Sequence, residues 1–240
     1  MAEPLRIVTF KWGSKYRGEH VNRLENMLSR NLTLPFEFVL VTDRPAEDAH
    51  LAERVIPLWP EMRDAKLCGV RLRAFGADMA ELIGPRFAWI DLDVVITGNV
   101  DHVFGRTEPF IALSTPRPPM PYNGSLVMMD AGARSDVFTK WNMQDYWAEG
   151  ERLGREFGVK AGTVSDEGWM WHVLGTEEPV FNGRGWKGRE DGIYYFRHDL
   201  NHGAKALPDN ACMVIMNGRA FDPSLPRWQS RCPWIKEHWR

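Results

Sequence analysis

The segment 87–96, FAWIDLDVVI, constrains this chain more than any other. Four apolar residues run straight into two carboxylates one residue apart, and a short apolar run of this kind reads as a buried strand. In open α/β sheets, ligands collect in the crevice beyond the carboxyl ends of the strands. Residues i and i+2 of a strand point the same way, so continued strand geometry aims Asp91 and Asp93 into one crevice. Two hard oxygen ligands on one side suit Mg²⁺ or Mn²⁺ with coordination positions left open for a diphosphate, and such an ion neutralises charge developing on a leaving group. The plainer reading of the same tripeptide is a strand-end turn with two solvated acids. Its place directly after a buried strand favours the site.

The rest of the first half supplies the sheet that this reading needs. Residues 5–10 (LRIVTF) and 36–41 (FEFVLV) are apolar strand-like runs, and 55–58 is a short third one. Between the first two, Val21, Leu24, Leu28 and Leu32 recur at helical spacing and end before Pro35. A helix is expected over 64–82, with Leu67, Val70, Ala74 and Leu82 on one face and Gly84-Pro85 as its stop. Strands alternating with helices predict a mostly parallel sheet with crossover helices. The second half is less regular. Strands are expected over 110–113 and 125–129, joined by the proline-rich segment 116–121. One long helix is expected over 137–157 with Ser135 as its N-cap. A short helix opens at Ser165-Asp166-Glu167 and runs through Leu174, the glycine-rich stretch 183–192 reads as a loop, and 211–216 is a last buried strand ahead of Asn217-Gly218. With no repeat and no linker, the expectation is one α/β domain over 1–240, with 1–105 as a nucleotide-binding half and 106–240 as a donor-sugar and acceptor half.

Composition excludes several classes. The 240 residues are 44% hydrophobic and 26% charged with a net charge of −2, so no global field draws the chain to nucleic acid or to an anionic membrane. Three cysteines, Cys68, Cys212 and Cys232, form neither a close pair nor a C-x-x-C, so no disulfide framework or zinc module is expected. No run approaches a membrane span, and the first residues lack a leader-like apolar region, which makes the cytoplasm the expected compartment.

Several windows, in order, resemble GT-A fold glycosyltransferases of the D-x-D type, in particular the glycogenin- and bacterial galactosyltransferase-like group. IVTFKWGSKY is similar to that group's first strand and nucleotide-contacting loop, and AKLCGVRLRAF to its A-[RK]-L helix. IDLDVV matches the D-x-D strand and PYNGSLVMMDAG the F-N-[AS]-G-V strand. SDEGWMWHVLG is similar to its D-Q helix start, and VIMNGRAFDPS to its terminal F-H-G-x-x-K-P-W segment. The resemblance implies metal-dependent transfer of a sugar from a nucleotide-diphosphate donor, a UDP-sugar by preference, to a glycan, lipid-linked or protein acceptor, and it leans towards retention at the anomeric carbon. By position, Asp91 and Asp93 would hold the metal and diphosphate. Thr9, Lys11 and Tyr16 would line the nucleotide pocket, and Lys66 would sit near the diphosphate or sugar. Asn123 would hydrogen-bond the sugar, Asp166 and Glu167 would face the reacting carbon, and Asn217-Gly218 would complete the metal and donor site.

The chain departs from that pattern at three places. Asn217 stands where the group has a metal-binding His, the Lys of the same segment is missing although Arg219 lies nearby, and Glu167 replaces the Gln of the D-Q pair. An amide oxygen suits Mg²⁺ but is weaker than imidazole for Mn²⁺. The same departures fit a fold kept to bind a nucleotide or sugar without turnover. The string h-h-h-D-x-D-x-[TV] of haloacid dehalogenase-type phosphatases also matches IDLDVV, but that motif belongs on a first strand, with later acidic and lysine partners that this chain lacks. Lys15 and Arg17 join Lys11 as cations after the first strand. His198 and His202 have i, i+4 spacing but lie in a loop-like segment, and Trp169 and Trp171 read as core. The tail PWIKEHWR is too short and mixed in charge to read as a membrane anchor.

Overall fold

The computed structural model describes residues 3–65, 67–116, 118–158, 163–184 and 189–240. Its first half follows the alternation in the sequence: β1 (Leu5–Lys11), α1 (Gly18–Asn31), β2 (Phe36–Thr42), α2 (Pro45–Asp48), β3 (Arg54–Pro57), α3 (Met79–Leu82) and β4 (Arg86–Ile90). After these come β5 (Val94–Ile96), α4 (Asp101–Phe104), β6 (Phe110–Ser114), β7 (Tyr122–Asp130), α5 (Asp136–Thr139), α6 (Met143–Glu156) and α7 (Asp166–Leu174). The chain ends with β8 (Val180–Phe181), β9 (Ile193–Tyr195), β10 (Met213–Ile215), α8 (Pro226–Arg231) and α9 (Pro233–His238).

Seven strands form the central sheet in the order β3-β2-β1-β4-β7-β6-β8. β1 pairs in parallel with both β2 and β4, β2 with β3 and β6 with β8, while β7 runs against its neighbours β4 and β6. The fold is therefore the mixed α/β class with a mostly parallel sheet. Both faces of the sheet are covered, as apolar strands of this kind require. On β4, Phe87 and Trp89 enter one core cluster with Val8, Phe75, Trp169 and Met170. Ala88 and Ile90 enter the other, with α1 residues Leu24 and Leu28, the strand residues Val95 and Val214, and Trp234 of the tail. The order of strands reverses between β1 and β4, and that switch point is where a crevice opens in such sheets. Thr9 on β1 stitches the two strands there, its hydroxyl donating to Ile90 O at 2.9 Å.

Four expectations need correction. The D-x-D does not continue a strand. The chain turns at Leu92-Asp93 and β5 enters a second sheet, β5-β10-β9, because β10 pairs antiparallel with it from Met213↔Ile96 to Ile215↔Val94. The helix expected over 64–82 is a 3-10 segment at Gly69–Phe75 followed by the one-turn α3. Gly69 and Gly76 bracket that segment, and Arg71 and Arg73, both buried, turn inward to ion pairs where a regular helix would expose one face. The long helix over 137–157 is broken into α5 and α6 around Trp141. Asn142 starts the second helix by accepting from Asp145 N at 2.8 Å, a stronger N-terminal signal than the propensity to continue. Ser135 precedes α5 without a side-chain cap bond. Strand β7 also begins earlier than expected, at Tyr122, which places Asn123 within the sheet. The Ser165 cap on α7 is as expected, accepting from Gly168 N at 3.3 Å.

Close backbone packing of α6 and α7 against residues 163–164 makes two helical glycines obligatory. A Cβ on Gly168 would lie 1.8 Å from Thr163 O, and one on Gly150 would lie 2.7 Å from the same oxygen. Gly→Ala in a helix ordinarily stabilises by up to about 1 kcal/mol. Here the sign reverses. Gly168→Ala should destabilise by about 2 kcal/mol or more through overpacking, measured as a lowered urea midpoint at unchanged slope.

Candidate active site

The site grows outward from Arg71, which is 3% exposed. Its Nη1 donates to Asp91 Oδ1 at 2.5 Å and to Gly124 O at 2.7 Å. Its Nη2 lies 2.7 Å from Asp166 Oδ2, a second ion pair. One guanidinium thus ties the end of β4, the middle of β7 and the start of α7 together. Burial alone lowers an arginine's pKa, but the charges of Asp166 and Asp91 outweigh it and hold Arg71 well above its ordinary value. Removal from water raises the pKa of both Asp91 and Asp166, with Arg71 opposing in each case.

Gly124 is where the backbone of β7 comes closest. A Cβ there would lie 2.5 Å from Asp166 Oδ2 and 2.8 Å from Arg71 Nη2, so the N-G dipeptide is required by the ion pair behind it. Gly124 O also accepts from Trp89 Nε1 at 2.8 Å. On the other side, Glu167 Oε1 accepts from Asn123 Nδ2 at 2.6 Å and from Gly124 N at 3.2 Å. Asn123 Oδ1 accepts from Ser125 N at 3.0 Å, so its amide is turned largely into the protein.

Asp93, two residues after Asp91, is 1% exposed. Its Oδ2 accepts from Gly218 N at 3.1 Å and from Lys15 Nζ at 3.4 Å. Its Oδ1 is buried with no hydrogen-bond partner among the described residues. The Asn217-Gly218 turn that reaches it carries φ of 53° and 97°, left-handed values that Asn tolerates and Gly accommodates freely. Asn217 Oδ1 accepts from Ser125 Oγ at 3.3 Å, and the same serine side chain also stabilises Asp91. Tyr16 closes the crevice beneath Lys15, whose ammonium sits 4.3 Å over its ring. Burial, then the charges of Asp93 and Asp91, push the Tyr16 phenol well above 10.0, and its hydroxyl stays protonated beside the Asp93 carboxylate, whose hydrogen bond adds to the shift.

Thr9, Tyr16, Asp91, Asp93, Asn123, Asp166, Glu167, Asn217 and Gly218 are thus joined in one chain of contacts. Lys11 lines an adjoining cleft of about 410 Å³ with Tyr16 and Arg17, but its ammonium is held by Asp48 at 2.8 and 2.9 Å and Asp48 also accepts from Thr42. Lys66 lies outside the described residues. Arg71 was not among the residues singled out from the sequence. Arg71-Leu72 repeats the [RK]-L pair of Lys66-Leu67 five residues on, and no local pattern selects one pair over the other. His198 and His202 sit in turns, and His202 stacks on Phe221 at 5.3 Å. Trp169 and Trp171 are core, 3% and 7% exposed.

The carboxylates Asp91, Asp93, Asp166 and Glu167 face two cations of the circuit, Arg71 and Lys15, which leaves two formal negative charges. Among the described residues, no three His, Cys, Asp or Glu side chains gather as a metal cluster. What the site offers a divalent cation is two carboxylates and the Asn217 amide oxygen. The unpartnered, buried Asp93 Oδ1 and the excess of two negative charges fit such an ion.

No protein-family model matches the sequence, and no curated protein matches it. Solved structures do. The galactosyltransferase LgtC in complex with donor and acceptor sugar analogues aligns over 98% of this chain and 96% of its own, with a TM-score of 0.58 at 10% identity. An active-site Gln-to-Glu mutant of LgtC aligns with a TM-score of 0.56 at 9% identity, again over 98% of this chain and 96% of that one. The glycosyltransferase GlyE of Streptococcus pneumoniae TIGR4 aligns over 99% of this chain and 62% of its own, with a TM-score of 0.56 at 8% identity. The chain shares the fold of these glycosyltransferases. Among the described residues, no helix is long and apolar enough to cross a membrane.

Removing one partner of a buried ion pair strands the other charge. Arg71→Met should therefore destabilise by about 3–5 kcal/mol in urea unfolding, and Arg71→Lys should recover only part of this, because a single ammonium cannot reach Asp91, Asp166 and Gly124 O together. A second expectation concerns the segment after Gly218. Asp222 accepts from His20 Nε2 at 3.1 Å and from Ser224 N at 2.8 Å. Burial raises its pKa, but these hydrogen bonds overcome that and bring it down to about 2 from an ordinary 3.8. A depressed carboxylate stabilises the fold above its unfolded pKa and loses that stabilisation as pH falls through the folded one. The gap in thermal midpoint between the parent chain and Asp222→Asn should close as pH falls between about 4 and 2.

Proposed function

We propose that the chain is a metal-dependent glycosyltransferase that moves a hexose from a nucleotide-diphosphate donor, a UDP-sugar by preference, to a saccharide, lipid-linked or protein acceptor. The observation that carries this reading is the contact circuit at the β1/β4 switch point, in which the D-x-D, the N-G strand and the two acids of α7 converge in a fold shared with glycosyltransferases. The donor's nucleoside would lie beyond the ends of β1 and β2, against Tyr16 and the cleft lined by Lys11 and Arg17. Asp91, Asp93 and Asn217 would hold Mg²⁺ or Mn²⁺, which when bound neutralises the charge on the departing diphosphate. Lys15, 3.4 Å from Asp93, adds a second positive charge at the same place, and the Gly218 turn holds the Asp93 carboxylate in position. Arg71 fixes Asp91 and the acids of α7 in one frame before substrate arrives, the preorganisation on which electrostatic catalysis depends. LgtC was solved with donor and acceptor sugar analogues; the same two substrate classes are proposed for this chain.

A second reading, a sugar- or nucleotide-binding protein without turnover, is favoured by Asn217 and by the missing lysine of that segment. Both readings meet the same experiment. UDP-, GDP-, CDP-, ADP- and dTDP-sugars are each added with Mn²⁺, Mg²⁺ or EDTA and the thermal midpoint is followed. A ligand at a hundredfold excess over its Kd stabilises by about 2.7 kcal/mol, so one donor should raise the midpoint in the presence of metal and lose that effect in EDTA. Asp91→Asn and Asp93→Asn should each abolish the metal-dependent part. Asn217→His should shift the preference towards Mn²⁺. A shift with no hydrolysis or transfer of the sugar would select the binder, and no shift with any donor would defeat both readings.

A further inference from the structure

The two adjacent acids at the start of α7 are separated by the fold into different environments. Asp166 is 1% exposed, sits behind Gly124 and is neutralised by Arg71, so it is closed off from any reacting carbon. Glu167, about 100° further round the helix, is only half-buried. It stands against β7 at the second position of the helix, where the dipole favours an anion. Its Oε1 is held by two donors from β7, the Asn123 side chain at 2.6 Å and the Gly124 backbone at 3.2 Å. Two donors on one oxygen fix the direction of the carboxylate, as an oriented nucleophile requires. Asn123 is then a positioning residue, anchored in turn through Ser125 N. A glutamine at this place would keep both contacts through its carbonyl oxygen but would bring no negative charge to the reacting face.

We propose that Glu167 is the covalent nucleophile of a two-step transfer; this deepens the glycosyltransferase reading and rests on it. In the first step a Glu167 carboxylate oxygen attacks the anomeric carbon of the donor sugar. The bond from that carbon to the diphosphate oxygen breaks, and its electron pair leaves on the diphosphate, giving a glycosyl ester. In the second step the acceptor hydroxyl attacks the same carbon, the ester bond breaks, and the pair returns to Glu167 as carboxylate. The hydroxyl proton passes to a phosphate oxygen of the leaving diphosphate or to solvent. Two inversions give net retention.

The test is chemical rescue. Glu167→Ala and Glu167→Gln are compared with the parent chain, using whichever nucleotide sugar of the panel above raises its thermal midpoint. Both variants should keep the donor-induced shift while turnover falls on the order of a thousandfold. Sodium azide should then restore turnover in Glu167→Ala only, giving a glycosyl azide whose anomeric configuration, read by proton NMR, is inverted relative to the donor. The parent chain should give a product of retained configuration. An inverted product from the parent chain overturns the proposal and leaves transfer standing. So does Glu167→Ala turning over within tenfold of the parent, or binding donor yet yielding no azide adduct. If no nucleotide sugar is bound at all, the transferase reading fails first and this proposal falls with it.

Discussion

A buried guanidinium is the constraint on which the rest of this site depends. Arg71 has been taken out of water with Asp91 and Asp166, and such a pair is stable only when the geometry is good and the remaining hydrogen-bonding capacity is met. Gly124 O meets part of it, which is why β7 must approach so closely and why residue 124 carries no side chain. Trp89, packed edge-on against Phe10 and Phe75, donates to the same carbonyl and braces it from the core side. The residues that would handle substrate are therefore placed by groups that never meet it.

The topology explains why so many segments far apart in sequence converge at this point. β1 and β4 are neighbours in the sheet but lie about eighty residues apart in the chain, and the order of strands reverses between them. The second sheet adds the other wall. Because β10 pairs with β5, the turn after β10 returns to the D-x-D, and Met216 N bonds Asp93 O at 3.2 Å while Gly218 N bonds the Asp93 side chain. His20 on α1 and Asp222 beyond that turn form a buried pair that holds the same segment against the helix, with Trp239 packed on the imidazole. The loop after β1, the D-x-D and the turn at Asn217-Gly218 are consequently one mechanical unit.

This unit also bears on the loss of the imidazole expected at position 217. In the proposed metal site an asparagine would be a weaker ligand for Mn²⁺ than the imidazole the resemblance implies, yet it keeps an oxygen, tolerates the left-handed backbone of the turn and is oriented by the Ser125 hydroxyl. The turn acts through its backbone as well as its side chain, since Gly218 N–H donates to the Asp93 carboxylate.

Much of the framework was legible in the chain itself. Apolar runs at 5–10, 36–41 and 87–90, the helical spacing from Val21 to Leu32 and the Ser165 cap all follow local rules of periodicity and capping, and they led to the correct sheet and to Asp91, Asp93 and α7. What local pattern could not supply was the fate of side chains whose partners lie far away. Nothing within 64–82 shows that Arg71 turns inward, because the two acids that draw it there are 20 and 95 positions away. The Asn142 start of α6 overrode an unbroken helical pattern, and β5 left its expected strand because β10 was available to pair with it. Asp166 and Glu167 are consecutive acids in the sequence, both plausible at any helix start, and only packing divided them into a buried anchor on Arg71 and a half-buried carboxylate held by β7. Hydrophobic periodicity fixes which segments are buried, since it is a local property. Ion pairing, close backbone approach and the placing of charge at a site are long-range, and only the tertiary structure decides them.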